Sequence, residues 1–423
     1  MGPGRGVYRK LILDNGVRLV TERMPALKSV TVGIWVNVGS RDEEAGEEGF
    51  SHFIEHMFFK GTATRSAARI SREIDALGGE MNAFTTRETT TFYIKVMDEQ
   101  LKPGLALLAD LFHHSRFPAQ EIEKEKQVVL EEMHMVQDEP EEWVQDLHTQ
   151  QIFGSHPLGR PILGKPATIK TLSRRDILGY IQRYYHPHET VVAVAGNFEQ
   201  KRLLSLLDTH FGRFERPAAS KRNRWPAEIH GGLQVHEKQL EQAHLCLGLK
   251  GISVEHKDRY AAALLNAVLG GNVSSRLFQE IREKRGLAYS IYSCLSAYSD
   301  GGMWSIYAGT RPSEAPRVVE LATKELTRLC TKGVRRDELG RAKNQMKGSV
   351  MLGLESTSSR MGKLAKDELN HGRRVSLEEI MAGIDRVSEA QLIGLSRELF
   401  DRRHLAVAAL GPVTRRSLAS ALN

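Results

Sequence analysis

The stretch GFSHFIEHMFF, residues 49–59, sets His52, Glu55 and His56 among aromatic and aliphatic neighbours. In a helix, residues four apart lie on one face, one turn above the other, so His52 and His56 aim two imidazoles at one point. Two imidazoles so placed form a claw for a divalent metal such as zinc. Glu55, three residues after His52 and next to His56, reaches the same space with a carboxylate, which suits a general base better than a third ligand. The order H-x-x-E-H is the inverse of the commoner zinc-peptidase order. As packing alone, the stretch is a half-buried helix with satisfied histidines, so the rest of the chain has to decide.

Zinc in a catalytic site takes three protein ligands and a water, and two histidines leave it one short. The most carboxylate-rich helical run is EIEKEKQVVLEEMH, residues 121–134. Glu125 and Glu132 stand seven apart, two helical turns, and point the same way. Their spacing allows one to bind the metal while the other orients a ligand from behind. It does not separate Glu131 from Glu132, and Lys124 and Lys126 make a solvated acidic face an equally good account.

At 423 residues the chain is too long for one core and suits two or three domains of about 150 residues each. Apolar residues at 41% and charged residues at 26% are those of an ordinary globular protein. The net charge of +7 is spread without a basic block, so no nucleic-acid partner is expected. Cys246, Cys294 and Cys330 show no C-x-x-C pairing, so neither a disulfide framework nor a thiolate metal site is indicated. The N-terminal MGPGRGVYRK lacks the apolar core of a signal peptide, and no run of about 18 apolar residues occurs. The expectation is a cytoplasmic protein without a membrane partner.

Along the chain, residues 7–24 alternate around Asp14-Asn15-Gly16 as a hairpin does. A strand from Ser29 to Val38 leads through a polar loop into the histidine helix, and a second helix near 66–78 stops at Gly78-Gly79. Residues 81–97 are rich in Thr, Phe and Tyr, as strands are; 101–113 and 121–136 return to helical spacing, and 190–197 reads as a buried strand. Proline, glycine and polar residues mark a linker at 216–232, which separates a domain at 1–215 from one at 233–423. The pattern then starts again, with a strand at 242–249, helices at 256–268 and 275–285, strands at 287–297 and 302–309, and helices at 312–331 and 335–352. That order suggests a duplication of about 200 residues. Only the first copy carries H-x-x-E-H.

Several segments together resemble one family, that of pitrilysin and the insulin-degrading enzyme. They are GSRDE (39–43), GFSHFIEHMFFKGT, GGEMNAFTTRETTTFY, EKEKQVVLEE, HPLGRPILG (156–164) and RYYHP (183–187). Within it the chain is most similar to the processing-peptidase β subunit and short bacterial relatives. The resemblance implies an α+β fold of two homologous α/β domains, each a mixed, mostly antiparallel sheet packed by helices, forming a clamshell half-chamber. It implies one zinc per chain on His52, His56 and Glu132, with Glu55 as base and Glu125 as a supporting acid. It carries Arg282 and Tyr289 over as the pair that reaches the substrate from the second half, with Tyr289 at the oxyanion. Asn82, Ala83 and Phe84 match an edge strand on which a peptide lies extended. A zinc endopeptidase acting on peptides or presequence-like segments follows, with a catalytically silent peptide-binding or assembly subunit as the alternative. Short members need two chains for a full chamber, so a homodimer is expected.

Overall fold

A computed structural model describes residues 7–215, 222 and 224–422; residues 216–221 and 223 of the expected linker lie outside them. The chain opens with β1 (Val7–Ile12), β2 (Arg18–Arg23), β3 (Ser29–Val36), α1 (Phe50–Met57), α2 (Ala67–Ala76), β4 (Glu80–Thr85) and β5 (Thr90–Met97). Next come α3 (Leu101–His114), α4 (Ala119–Asp138), α5 (Pro140–Phe153), α6 (Pro166–Thr171), α7 (Arg174–Tyr184), β6 (Thr190–Gly196) and α8 (Gln200–Phe211). The second half holds β7 (Gly232–Glu237), β8 (Ala243–Lys250), α9 (Arg259–Leu269), β9 (Ala288–Ala297) and β10 (Gly302–Thr310). It ends with α10 (Ala315–Lys332), α11 (Arg336–Gly353), α12 (Thr357–His371), α13 (Leu377–Arg386), α14 (Glu389–Leu399), β11 (Ala406–Gly411) and α15 (Arg415–Ala419).

The two sheets repeat one plan. The first has the order β1-β2-β6-β3-β5-β4 and the second β7-β11-β8-β10-β9. With β1 set aside, each strand of the first has a counterpart in the second. In both, the second strand in this order, β6 or β11, pairs parallel to the first and antiparallel to the third. The remaining pairs are antiparallel. This is the expected mixed, mostly antiparallel architecture, and it carries the duplication beyond the order of elements. No described helix is long and apolar enough to cross a membrane.

Two compact units result. One takes the described residues within 1–133, 161–223 and 352–374, the other those within 134–160, 224–351 and 375–423. The expected boundary near 216–232 therefore divides the sheets, but two helical segments cross it: α5 joins the second unit and α12 the first. The cause is burial on both faces, since every residue of β6 and of β11 is buried. In the first unit, α1, α3, α4 and α7 cover one face with Phe53, Ile54, Leu105, Val129 and Tyr180. The other face, with Val20, Trp35, Val191 and Ala193, is closed by Met361, Leu364 and Ala365 of α12. In the second unit, Val144 and Ile152 of α5 do the same for Cys246, Ala406, Ala408 and Leu410. Neither covering helix is legible in the sequence, because its apolar face matches a sheet distant along the chain.

Helix α5 seats closely on β8. A Cβ on Gly248 would lie 2.1 Å from His148 Nε2 and 2.9 Å from Ile152 Cδ1, so only glycine leaves room for the imidazole. Gly248→Ala is expected to cost about 1–3 kcal/mol through overpacking, and much less in a His148→Ala background, as denaturant midpoints would show. Burial also pushes the His148 imidazole down to about 4, and its Nε2 has no hydrogen-bond partner. The unfolded chain takes up that proton near the usual 6.5, so stability falls as pH drops from there towards 4, by up to about 3 kcal/mol. Unfolding at pH 7 and pH 4.5 should show a smaller acid loss for His148→Leu than for the wild type.

Candidate functional site

Helix α1 is only eight residues long, so its position depends on packing and capping rather than on helix propensity. Its N-cap, Gly49, has no side chain to offer and sits at φ +96°, in the left-handed region. The capping role passes to Glu43, buried in the preceding loop, whose carboxylate accepts from Gly49 N at 2.9 Å and Ser51 N at 2.8 Å. A carboxylate also suits the positive end of the helix dipole. Ser51 Oγ bonds the Tyr180 hydroxyl at 2.7 Å, and Phe53, Ile54 and Met57 are buried below. Gly164, at the end of HPLGRPILG, lies so close that a Cβ there would stand 2.1 Å from Glu48 O. These contacts fix where His52, Glu55 and His56 point.

Opposite lies α4, with Glu125 and Glu132 on one stripe. His52 Nε2 stands 3.7 Å from Glu132 Oε1, and His56 Nε2 stands 3.6 Å from Glu132 Oε2. Ligand atoms of the three residues all lie within 4.8 Å of one another, the only such metal-capable group among the described residues. A tetrahedral zinc with bonds of about 2.1 Å holds its donors about 3.4 Å apart, so the spacing fits that ion. Glu131 is exposed, whereas Glu132 is half-buried and faces the histidines. Glu125 accepts from His56 Nδ1 at 2.9 Å, which leaves His56 Nε2 free for a metal. Lys60 Nζ, 2.5 Å from Glu125 Oε2, balances that carboxylate.

The electrostatics divide the two histidines. Burial, reinforced by the neighbouring His56, pushes the His52 imidazole down to about 3, so it is neutral and has a free lone pair. Burial acts the same way on His56, but its bond to Glu125 and the charges of Glu132, Glu125 and Glu55 outweigh it and raise its pKa. Burial would raise Glu125, yet His56 and Lys60 hold it below its ordinary value. Glu132 is raised by burial against the pull of His56. Glu55 is also raised by burial, in part offset by a hydrogen bond from Thr85 Oγ1 to its Oε2 at 2.6 Å. Two imidazoles and three carboxylates thus share one site, and a divalent cation would balance their charge.

Asn82, Ala83 and Phe84 lie on β4, the outer strand of the first sheet. Ala83 is buried, while Phe84 is 37% exposed on the opposite side, edge-on to Trp35. Arg282 and Tyr289 lie in the second unit. The expected helix at 275–285 contains a π-helical turn at Phe278–Glu283, with Lys284 N bonded to Gln279 O at 3.0 Å. Arg282 rests 5.2 Å over the ring of Tyr289, the second residue of β9, which is 79% exposed. Sequence reasoning missed Glu43, Lys60 and Thr85. Thr85 directly follows Asn82-Ala83-Phe84 and Lys60 stands four after His56, but neither spacing names a partner 30 or more residues away.

Over residues 18–166 the chain matches the family described as "Insulinase (Peptidase family M16)", and over 171–346 the one described as "Peptidase M16 inactive domain". The first match contains H-x-x-E-H, and α9, the counterpart of α1 in the second, contains neither histidine nor glutamate. The chain is 42% identical over 406 residues to "Uncharacterized zinc protease YmxG" of Bacillus subtilis, covering 96% of this chain and 98% of that one. It is 39% identical over 417 residues to "Uncharacterized zinc protease SCO5738" of Streptomyces coelicolor, covering 97% and 91%. Among solved structures, a protease from Helicobacter pylori shares the fold with a TM-score of 0.90 at 24% identity, covering 97% of this chain and 100% of that one.

Zinc titration of the metal-free protein tests the donor set. Glu132→Gln is expected to abolish stoichiometric binding, and Glu125→Gln to weaken it about 10- to 100-fold, as changes behind a ligand typically do. Glu131→Gln should bind like the wild type; zinc loss in that variant instead would move the third ligand by one residue.

Proposed function

The chain belongs to the insulinase family, peptidase family M16, and on that premise we propose that it is a zinc-dependent endopeptidase of peptides and unfolded or presequence-like segments. One observation carries the reading: three ligand atoms at zinc spacing with a buried carboxylate, Glu55, on the same short helix. His52, His56 and Glu132 would hold the metal, one zinc ion per chain. Bound there, zinc would supply Lewis acidity, to acidify water and polarise a scissile carbonyl. Glu55 takes the proton of the attacking water and hands it to the leaving amine. Burial favours its protonated form, which helps the second of those steps. Glu125 keeps His56 in the tautomer that offers Nε2.

In this reading the peptide lies extended along Asn82, Ala83 and Phe84, its backbone pairing with the open edge of β4. Tyr289 donates to the developing oxyanion and Arg282 to a neighbouring substrate carbonyl, inside a chamber that excludes folded domains. The protein acts in the cytoplasm as a homodimer, which light scattering would check.

Glu55→Gln is expected to abolish hydrolysis of an internally quenched peptide and to keep about one zinc per chain, because the residue is a base and not a ligand. Substantial turnover in that variant removes Glu55 from the mechanism. Tyr289→Phe should lower kcat by about 10²–10³, the usual loss of one oxyanion donor, with zinc content and thermal midpoint unchanged.

A further inference from the structure

We propose that Thr85 is the positioning residue for Glu55 and couples it to the strand that receives substrate; this rests on the peptidase reading. The Thr85 hydroxyl has one proton, and its near partner is Glu55 Oε2 at 2.6 Å; Ser51 O is 3.5 Å away. The bond thus engages one carboxylate oxygen and leaves Oε1 to accept a proton from water. A glutamate has three rotatable side-chain bonds, so a buried carboxylate without such an anchor samples orientations that miss the water. Threonine suits the anchor because its branched Cβ restricts χ1, and strand geometry restricts it further.

The place of Thr85 in the fold supplies the coupling. Side chains alternate along a strand, so Thr85 shares with the buried Ala83 the face of β4 turned to α1. It is the last residue of β4 and pairs with Thr90 of β5. The other edge of β4 is the outer edge of the sheet. A peptide that adds there bonds to the backbone that carries Thr85, so the strand that receives substrate also holds the base through one hydroxyl.

The experiment compares full-length wild type, Thr85→Val, Thr85→Ser and Glu55→Gln, each assayed for zinc content and for kcat and KM on one quenched peptide, with a crystal structure of Thr85→Val. Valine keeps the shape and removes the donor. Its kcat should fall about 10- to 100-fold, with KM within about twofold and zinc retained, and the Glu55 carboxylate should leave its observed position. Serine should restore most of the rate. An unchanged kcat, a change confined to KM, loss of zinc, or an unmoved Glu55 carboxylate overturns the proposal. Thr85→Ala gives the same readings should the valine variant not fold. A wild type that cuts no peptide overturns the peptidase reading instead, and the position of Glu55 in the Thr85→Val crystal still decides whether Thr85 positions it.

Discussion

A sheet that is apolar on both faces has to be covered twice, and much of this structure follows from that. Every residue of β6 and β11 is buried, and those strands lie inside their sheets, where neither face can meet water without loss of burial energy. Helices near in sequence cover one face of each. The other is closed from the opposite half of the chain, by α12 over Trp35 and by α5 over Cys246 and Ala408. With both faces shut, the first sheet is a firm base for α1, and a firm base is what a helix of eight residues needs in order to hold three chemical groups in place.

The site then shows how burial and charge divide labour among similar groups. His52 and His56 lie one turn apart with rings 4.5 Å from each other, yet one is forced neutral and the other is drawn towards its charged form. The difference is Glu125, which bonds His56 alone. The three glutamates differ in the same manner. Glu125 is held ionised by Lys60 and His56, whereas Glu132 and Glu55 are pushed towards neutrality by desolvation. Each carboxylate is thereby suited to a different task.

Much of this was legible in the chain itself. The H-x-x-E-H spacing places His52, Glu55 and His56 correctly because helical periodicity is local, and the hairpin at Asp14-Asn15-Gly16 and the strand at β8 are readable for the same reason. Long-range partners were not. Glu43 caps α1 across a loop, Lys60 reaches a carboxylate on another helix, and Thr85 meets Glu55 only because β4 ends beside α1. Strand β7, which begins at the edge of the expected linker, was not legible, because its pairing partner, β11, lies near the end of the chain. The helix expected at 275–285 contains a π-helical turn, since no periodicity distinguishes one extra residue per turn.

The reciprocal placement of α5 and α12 bears on descent. Each follows the helix in the same position of its repeat, α4 in one and α11 in the other, and each is counted with the sheet of the opposite repeat. A single ancestral unit, with that helix serving another sheet, would have left one face of its own sheet bare. Two identical copies trading that helix would have satisfied both, as domain-swapped dimers do. Joining two such copies end to end turns an exchange between two molecules into an exchange within one, so that each half of the chain supplies the helix that closes the other half's sheet.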